Sequence, residues 1–266
     1  MKLQQHPNEY IRGASLRFLQ KIAKDTELLE PLIPTCRACL EHRHSYVRKN
    51  AIFALYSIYR EFENLIPDAA ELMFAFLAAE NDSSCKRNAF VFLAHCSMPK
   101  AVEYIMNIYD TIGTLDEGLQ MSLIEVIRLD CKNDSSHRVS PYHHAYLCLP
   151  SIIPKARYMR CIFELLNAPS HAVKYEAATA LTTLTQNPAA VKGRSFWNLS
   201  LRCLIIFSLA AASCFINLVI KESDNNVKLI VLDRLDTLRS KHGHVLDGLI
   251  MDVLQTLTRS ALLFIH

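Results

Sequence analysis

Glycine is the first scarcity. The chain has six glycines in 266 residues, and no two lie within four positions of one another. Neither a GxGxxG turn nor a Walker loop is therefore available to cradle a phosphate, and nucleotide binding by those routes is excluded. Excess charge is missing as well. The 29 Lys and Arg stand against 26 Asp and Glu, giving a formal +3 and a pI near 8.3. That is too mild for the electrostatic footprint of a dedicated nucleic-acid binder. No GxSxG or HExxH organises the Ser, His and Asp residues, so no catalytic residue, no small-molecule substrate, no cofactor and no enzymatic activity are expected. Alternating Val/Ile/Thr runs bounded by Gly and Asn are absent, and strands are not expected. Met1 is followed by the polar stretch KLQQHPNEY rather than an apolar signal segment. With that start, nine scattered cysteines, an odd number, read as reduced thiols in the cytosol.

What is plentiful is apolar surface in a repeating pattern. Hydrophobic residues make up 51% of the chain, enough for a substantial core. The stretches YIRGASLRFL (10–19), YVRKNAIFAL (46–55), CKRNAFVFL (85–93), AVKYEAATAL (172–181) and NVKLIVLDRL (226–235) align on one template. Its first apolar position is Ile11, Val47, Cys85, Val173 or Val227. A small or apolar residue follows at plus four (Ser15, Ala51, Ala89, Ala177, Val231) and a leucine at plus eight (Leu19, Leu55, Leu93, Leu181, Leu235). An apolar residue at plus eleven completes it (Ile22, Ile58, Cys96, Leu184, Leu238). Offsets of this kind share one face of a helix, with small residues where a neighbour must come close. A sixth, weaker copy runs through Leu119, Leu123 and Ile127 and is broken by Asp130. Pro34, Pro67 and Pro99 each precede a second apolar segment, TCRACLEH, DAAELMFAFLAA and KAVEYIMNIY, and read as first-turn prolines of partner helices. The chain is expected to be all-α: a HEAT or armadillo-type solenoid of stacked antiparallel helix pairs, running through 1–266 as a single body.

Spacing exposes two interruptions. The first copies follow one another at 36, 38 and 34 residues, but the next two gaps are both 54. Removing VSPYHHAYLCLPSIIPK (139–155) or GRSFWNLSLRCLIIFSL (193–209) brings each gap to 37. The second removal joins NPAAVK to AAASCFINLVIKES as one amphipathic segment. Equal length and clean flanks mark both stretches as translated in-frame introns rather than evolved loops. The tail SALLFIH (260–266) also leaves the repeat and reads as a third such extension.

LEHRHSYVRKNAIFAL, AENDSSCKRNAFVFLAHC, HAVKYEAATAL and especially IKESDNNVKLIVLDRL resemble the N-terminal solenoid of the coatomer β family, adaptin-like trunk proteins of the COPI vesicle coat. The resemblance covers nearly the whole chain outside the two inserts and the tail. It implies a fragment of a longer HEAT-like trunk that assembles with other coatomer subunits. It further implies recruitment to the cytosolic face of Golgi membranes by an Arf-family GTPase in its GTP state, and a role in Golgi-to-ER and intra-Golgi transport. No catalytic residue comes with it. Another HEAT-repeat scaffold or transport receptor is the alternative class.

Three local features bear on function. Arg12, Arg48, Lys86, Lys174 and Lys228 each follow the template's first apolar position and would line one edge of a regular solenoid. Such an edge either meets acidic partners or anionic lipid, or solvates the turns and pairs with nearby carboxylates. Cys36, Cys39, His42 and His44 fall within nine residues, yet structural zinc sites draw two ligands from each of two separated pairs, so no metal is expected there. None is expected either at His143 and His144, beside Tyr142 and Tyr146. Finally, CLIIFSLAAASCFINLVI (203–220) is eighteen residues without a charge, flanked by Trp197, Arg194 and Arg202 on one side and Lys221 on the other. Read literally it is a single membrane span, although 210–220 already have a place in the repeat.

Overall fold

The computed structural model describes residues 6–22, 26–134, 158–184 and 197–241. Among these every regular element is helical and no strand occurs. The chain divides into two compact units, Met1–Ile108 and Tyr109–His266.

In the first unit the template segments become α1 (Glu9–Ile22), α4 (Ser45–Glu61) and α6 (Ser83–Cys96). Their partners are the short α2 (Thr26–Leu29) and α3 (Ile33–Ala38), then α5 (Ala69–Ala79) and α7 (Met98–Asn107). Local chemistry sets the starts. Asn8 Oδ1 accepts the N–H groups of Tyr10 and Ile11 at 2.9 and 3.3 Å, and Asp82 Oδ1 accepts that of Cys85 at 3.0 Å, each satisfying donors that have no partner inside the helix. Pro34 and Pro99 occupy the first turns of α3 and α7, where the missing N–H costs nothing. Pro67 does not; it lies ahead of the N-cap residue Asp68, in the turn that feeds α5.

Packing follows the template. α4 lies against α1 on one side and α6 on the other, while α5 packs on both α6 and α7. Val47, Ala51, Leu55 and Ile58 are wholly buried on α4, as are Cys85, Ala89 and Leu93 on α6. Burying one such leucine is worth about 1.5 to 3 kcal/mol. Close approach of α1 to α4 depends on Gly13, because a methyl group there would collide with the Tyr46 ring. Tyr46 is held in that contact by Tyr10, at 5.6 Å between ring centroids, and by Arg17, whose Nη2 donates to its hydroxyl at 3.0 Å.

The second unit contains α8 (Glu117–Asp134), a helical run over 158–165 (α9), α10 (His171–Leu184), α11 (Trp197–Lys221) and α12 (Asn225–Lys241). α10 packs against α8, α11 and α12, and α11 against α12. Val173, Ala177 and Leu181 are fully buried, repeating the pattern of α4. The break at Asp130 has a use: Tyr158, only 1% exposed, donates its hydroxyl to Asp130 Oδ2 at 2.8 Å. A polar residue stands in the apolar row because a buried phenol needs an acceptor.

Two expectations are revised. Residues 197–209 of the second insert form the N-terminal half of α11, continuous with 210–221, where NPAAVK was expected to fill that half. No Gly or Pro stands between Trp197 and Lys221, and Leu-rich sequence propagates a helix readily. The junction carries a cost, since Ser208 is 1% exposed and its hydroxyl has no hydrogen-bond partner among the described residues. Template burial also relaxes in the outermost described copies, where Ile11 and Val227 are 39% and 38% exposed. The first insert, 139–155, and the tail, 260–266, lie outside the described residues.

Candidate interaction edge

Each template helix is entered through a turn with its own recurring chemistry. Five residues before the first apolar position stand His6, His42, Glu80 and Glu222, and in all four the side chain accepts the backbone N–H two residues on. The acceptors are His6 Nδ1 from Asn8 at 3.1 Å, His42 Nδ1 from His44 at 3.1 Å, Glu80 Oε1 from Asp82 at 2.9 Å and Glu222 Oε1 from Asp224 at 3.3 Å. These acceptors escaped the sequence reading. Their signal was a shared offset occupied by two different residue types, which a search for identical residues passes over.

The predicted basic edge divides in two against this frame. Arg12 Nε donates to the His6 carbonyl at 3.2 Å, and Arg48 Nη1 donates to the carbonyls of His42 and Arg43 at 2.8 and 2.9 Å. In the sixth copy Gln120, 2% exposed, does the same with Nε2 to the carbonyls of Ile112 and Gly113 at 3.0 and 3.3 Å. These groups satisfy carbonyls left open where the chain turns into the helix. Lys86, Lys174 and Lys228 are half-buried, and their ammonium groups have no hydrogen-bond or ion-pair partner among the described residues. A lysine has no planar fork with which to reach two carbonyls at once.

Arg48 also ties one repeat to the next. Its Nε and Nη2 meet Glu80 Oε2 and Oε1 at 2.6 and 2.8 Å, with side chains 18% and 3% exposed. Burial alone would raise the Glu80 carboxyl. The Arg48 hydrogen bonds, the N–H groups of Asp82 and Asn81 and the Arg48 charge outweigh it and hold the carboxyl below the ordinary glutamate range. The partner helices are stitched as well, Arg37 to Asp68 through two hydrogen bonds and Lys100 to Glu71 at 2.5 Å.

In the second unit the staples run elsewhere. Arg128 Nη2 donates to Glu176 Oε2 at 2.7 Å between α8 and α10, and Arg234 Nε to the Tyr175 hydroxyl at 3.0 Å between α12 and α10. Glu222, the counterpart of Glu80, pairs with His171 Nδ1 at 3.1 Å. Lys174, the counterpart of Arg48, instead lines a groove of about 410 Å³ beside α11.

The remaining sequence candidates do not converge. Cys36 and Cys39 are buried, and desolvation pushes the Cys36 thiol up to about 12 and the Cys39 thiol upward, so neither favours the thiolate that binds metal. His42 and His44 stack on each other at 5.8 Å. Among the described residues no three His, Cys, Asp or Glu are placed to hold a metal ion. His143 and His144 lie outside the described residues. Of the uncharged stretch 203–220, side chains are described from 208 onward. There Ala211, Ala212, Phe215 and Val219 are buried while Leu209 and Ile220 are 42% and 52% exposed, the one-sided pattern of a helix packed on protein. Among the described residues no helix is long and apolar enough to cross a membrane.

The comparisons with known proteins agree with this architecture. The family described as the adaptin N-terminal region matches residues 1–258. The chain belongs to the adaptin N-terminal region family. Within it, the chain is similar to coatomer subunit beta of Rattus norvegicus, at 49% identity over 96% of this chain and 23% of that protein. It is 45% identical to coatomer subunit beta of Drosophila melanogaster over 95% of this chain and 23% of that protein. For coatomer subunit beta of Dictyostelium discoideum the figures are 43%, 95% and 24%. The chain thus spans about a quarter of the length of these adaptin-family relatives.

Proposed function

We propose that this chain serves as a trunk segment of a COPI vesicle coat, a scaffold subunit that works through protein contacts rather than chemistry. The observation that carries the reading is identity of 43 to 49% with coatomer β subunits, sustained over 95 to 96% of this chain. Two physical features support it. Helix pairs stitched at their turns offer long side-chain surfaces that keep their shape. Lys86, Lys174 and Lys228, with no described partner, supply cations for acidic partner surfaces. On this reading both units belong to one stretch of solenoid. The partners are the other coatomer subunits and an Arf-family GTPase in the GTP state. The site of action is the cytosolic face of Golgi membranes and COPI vesicles, in Golgi-to-ER and intra-Golgi transport.

Affinity capture of the tagged chain from cells tests this. The expected result is recovery of other coatomer subunits, and retention on Golgi-lipid vesicles that requires GTP-loaded Arf GTPase. Capture with no coatomer subunit, or vesicle retention that ignores the GTPase and withstands alkaline carbonate, overturns the reading; the latter would assign 203–220 to the bilayer.

A further inference from the structure

Superposing the repeat numbering of the two units shows one seam that a charged pair closes in the first and that has no such pair at the same offsets in the second. In the first unit Arg37 lies ten residues before Val47, and Asp68 lies seventeen before Cys85. They meet through two hydrogen bonds and bolt α3 to the start of α5. The residues at those offsets in the second unit are Phe163, ten before Val173, and Ala210, seventeen before Val227. Neither can make such a bond. Both line the 410 Å³ groove instead.

The second closing pair is altered too. Arg48 reaches across to Glu80 in the first unit. In the second, Glu222 is engaged by His171 at 3.1 Å and by the N–H groups of Ser223 and Asp224 at 2.9 and 3.3 Å. Lys174 is left facing the groove. Lys221 lines it too, at the end of α11, where the first unit has Ala79. The groove is therefore lined by two lysines, one on α10 and one on α11, whose ammonium groups have no partner among the described residues, by apolar surface from Phe163, Leu166 and Leu218, and by the exposed amides of Asn167 and Asn217.

We propose that this groove docks a short acidic and apolar peptide segment of a protein partner, its carboxylates on Lys174 and Lys221 and its apolar side chains on Phe163, Leu166 and Leu218. A peptide fits better than a lone phosphate, because the two cations stand on separate helices in a groove that also offers apolar surface. The flanking amides can pair with peptide N–H and C=O groups, as a side chain that both donates and accepts does. Charge sets the direction of choice: an acidic segment is attracted and a basic one repelled, more strongly at low salt. This chemistry does not rest on membership of a coat.

The test titrates the whole chain with a labelled peptide alternating glutamate and leucine. Its glutamine and lysine counterparts, inorganic phosphate and phosphatidylserine vesicles serve as competing probes. Saturable binding of the glutamate peptide is expected, weakened at least roughly tenfold, about 1.4 kcal/mol, in K174E/K221E and unchanged in K86E. On the unaltered chain the bound peptide should protect Lys174 and Lys221 from acetylation, which keeps the test decisive if the double variant misfolds. The proposal is overturned by equal binding of the glutamine peptide, by lysines that stay fully reactive, or by lysines protected by vesicles or phosphate and not by peptide.

Discussion

The turn before α6 and the turn before α12 are built on the same offsets and end differently. Both place a glutamate whose carboxylate collects the next backbone N–H groups, Glu80 and Glu222. In the first, a planar guanidinium from α4, the preceding template helix, grips the carboxylate through two nitrogens. In the second, an imidazole takes it from a different position on its helix, and the residue at the Arg48 offset is a lysine whose ammonium has no partner among the described residues. A repeat can thus conserve its fold through the backbone side of a turn while leaving its outward side to vary. Where the variation removes closing bonds, the seam becomes available to a partner.

The largest effects should come from what the two units share. Leu55→Ala and Leu181→Ala each remove a fully buried leucine at the same template position and should cost about 2 to 5 kcal/mol apiece in denaturant unfolding. If the two costs differ severalfold, the template positions are not energetically equivalent and the comparison breaks.

Next come the staples. Glu80→Gln removes the charge from a nearly buried bidentate pair and should cost about 1.5 to 3 kcal/mol at neutral pH. Glu222→Gln, at an exposed pair, should cost clearly less by the same measurement. The pH dependence has a defined sign. The folded Glu80 carboxyl is held below its unfolded value, so between the two values the unfolded chain binds more protons and stability rises with pH. The contribution is complete above the unfolded value of about 4.3 and is lost as pH falls through the depressed folded one. Acid unfolding of Glu80→Gln should show a flatter limb than that of the unaltered chain. Parallel limbs would show that the pair contributes nothing.

A smaller effect sharpens the view of the second unit. Tyr158→Phe leaves Asp130 without its 2.8 Å donor and should cost about 1 kcal/mol in thermal unfolding. The smallest change in stability belongs to Lys174→Gln, within about 0.5 kcal/mol, because no described group relies on its charge. The same substitution should weaken acidic-peptide binding. A lysine that proves structural would reverse that order.

Much of the fold could be read from residue spacing. Apolar positions at 0, 4 and 8 named the rows that became buried on α4, α6 and α10, whereas Ile11 and Val227 on α1 and α12 stay exposed, and Pro34 and Pro99 marked helix starts correctly. Reading stopped at the turns. Histidine and glutamate share an offset but not an identity, and their common role appears only when a backbone N–H is placed against each. The five basic residues looked alike for the same reason: spacing reports where a side chain starts and not what its far end meets. Residues 197–209 continue α11 because a helix accepts any segment without Gly or Pro that can extend it, which the spacing of the repeat does not report.

The sequence alone therefore determined the helical class, the repeat, the buried rows and the family, since all of these depend on which residues recur at which spacing. Only the tertiary structure decided that Arg12 and Arg48 close turns while the Lys174 ammonium has no partner among the described residues, that Asp130 serves Tyr158, and that one seam is bolted by Arg37 and Asp68 while its counterpart is a groove. Those outcomes depend on where the far ends of side chains lie, whether the partner is six residues away in the chain, as for Arg12 and His6, or 31, as for Arg37 and Asp68, and a hydrogen bond is made or lost within about 1 Å.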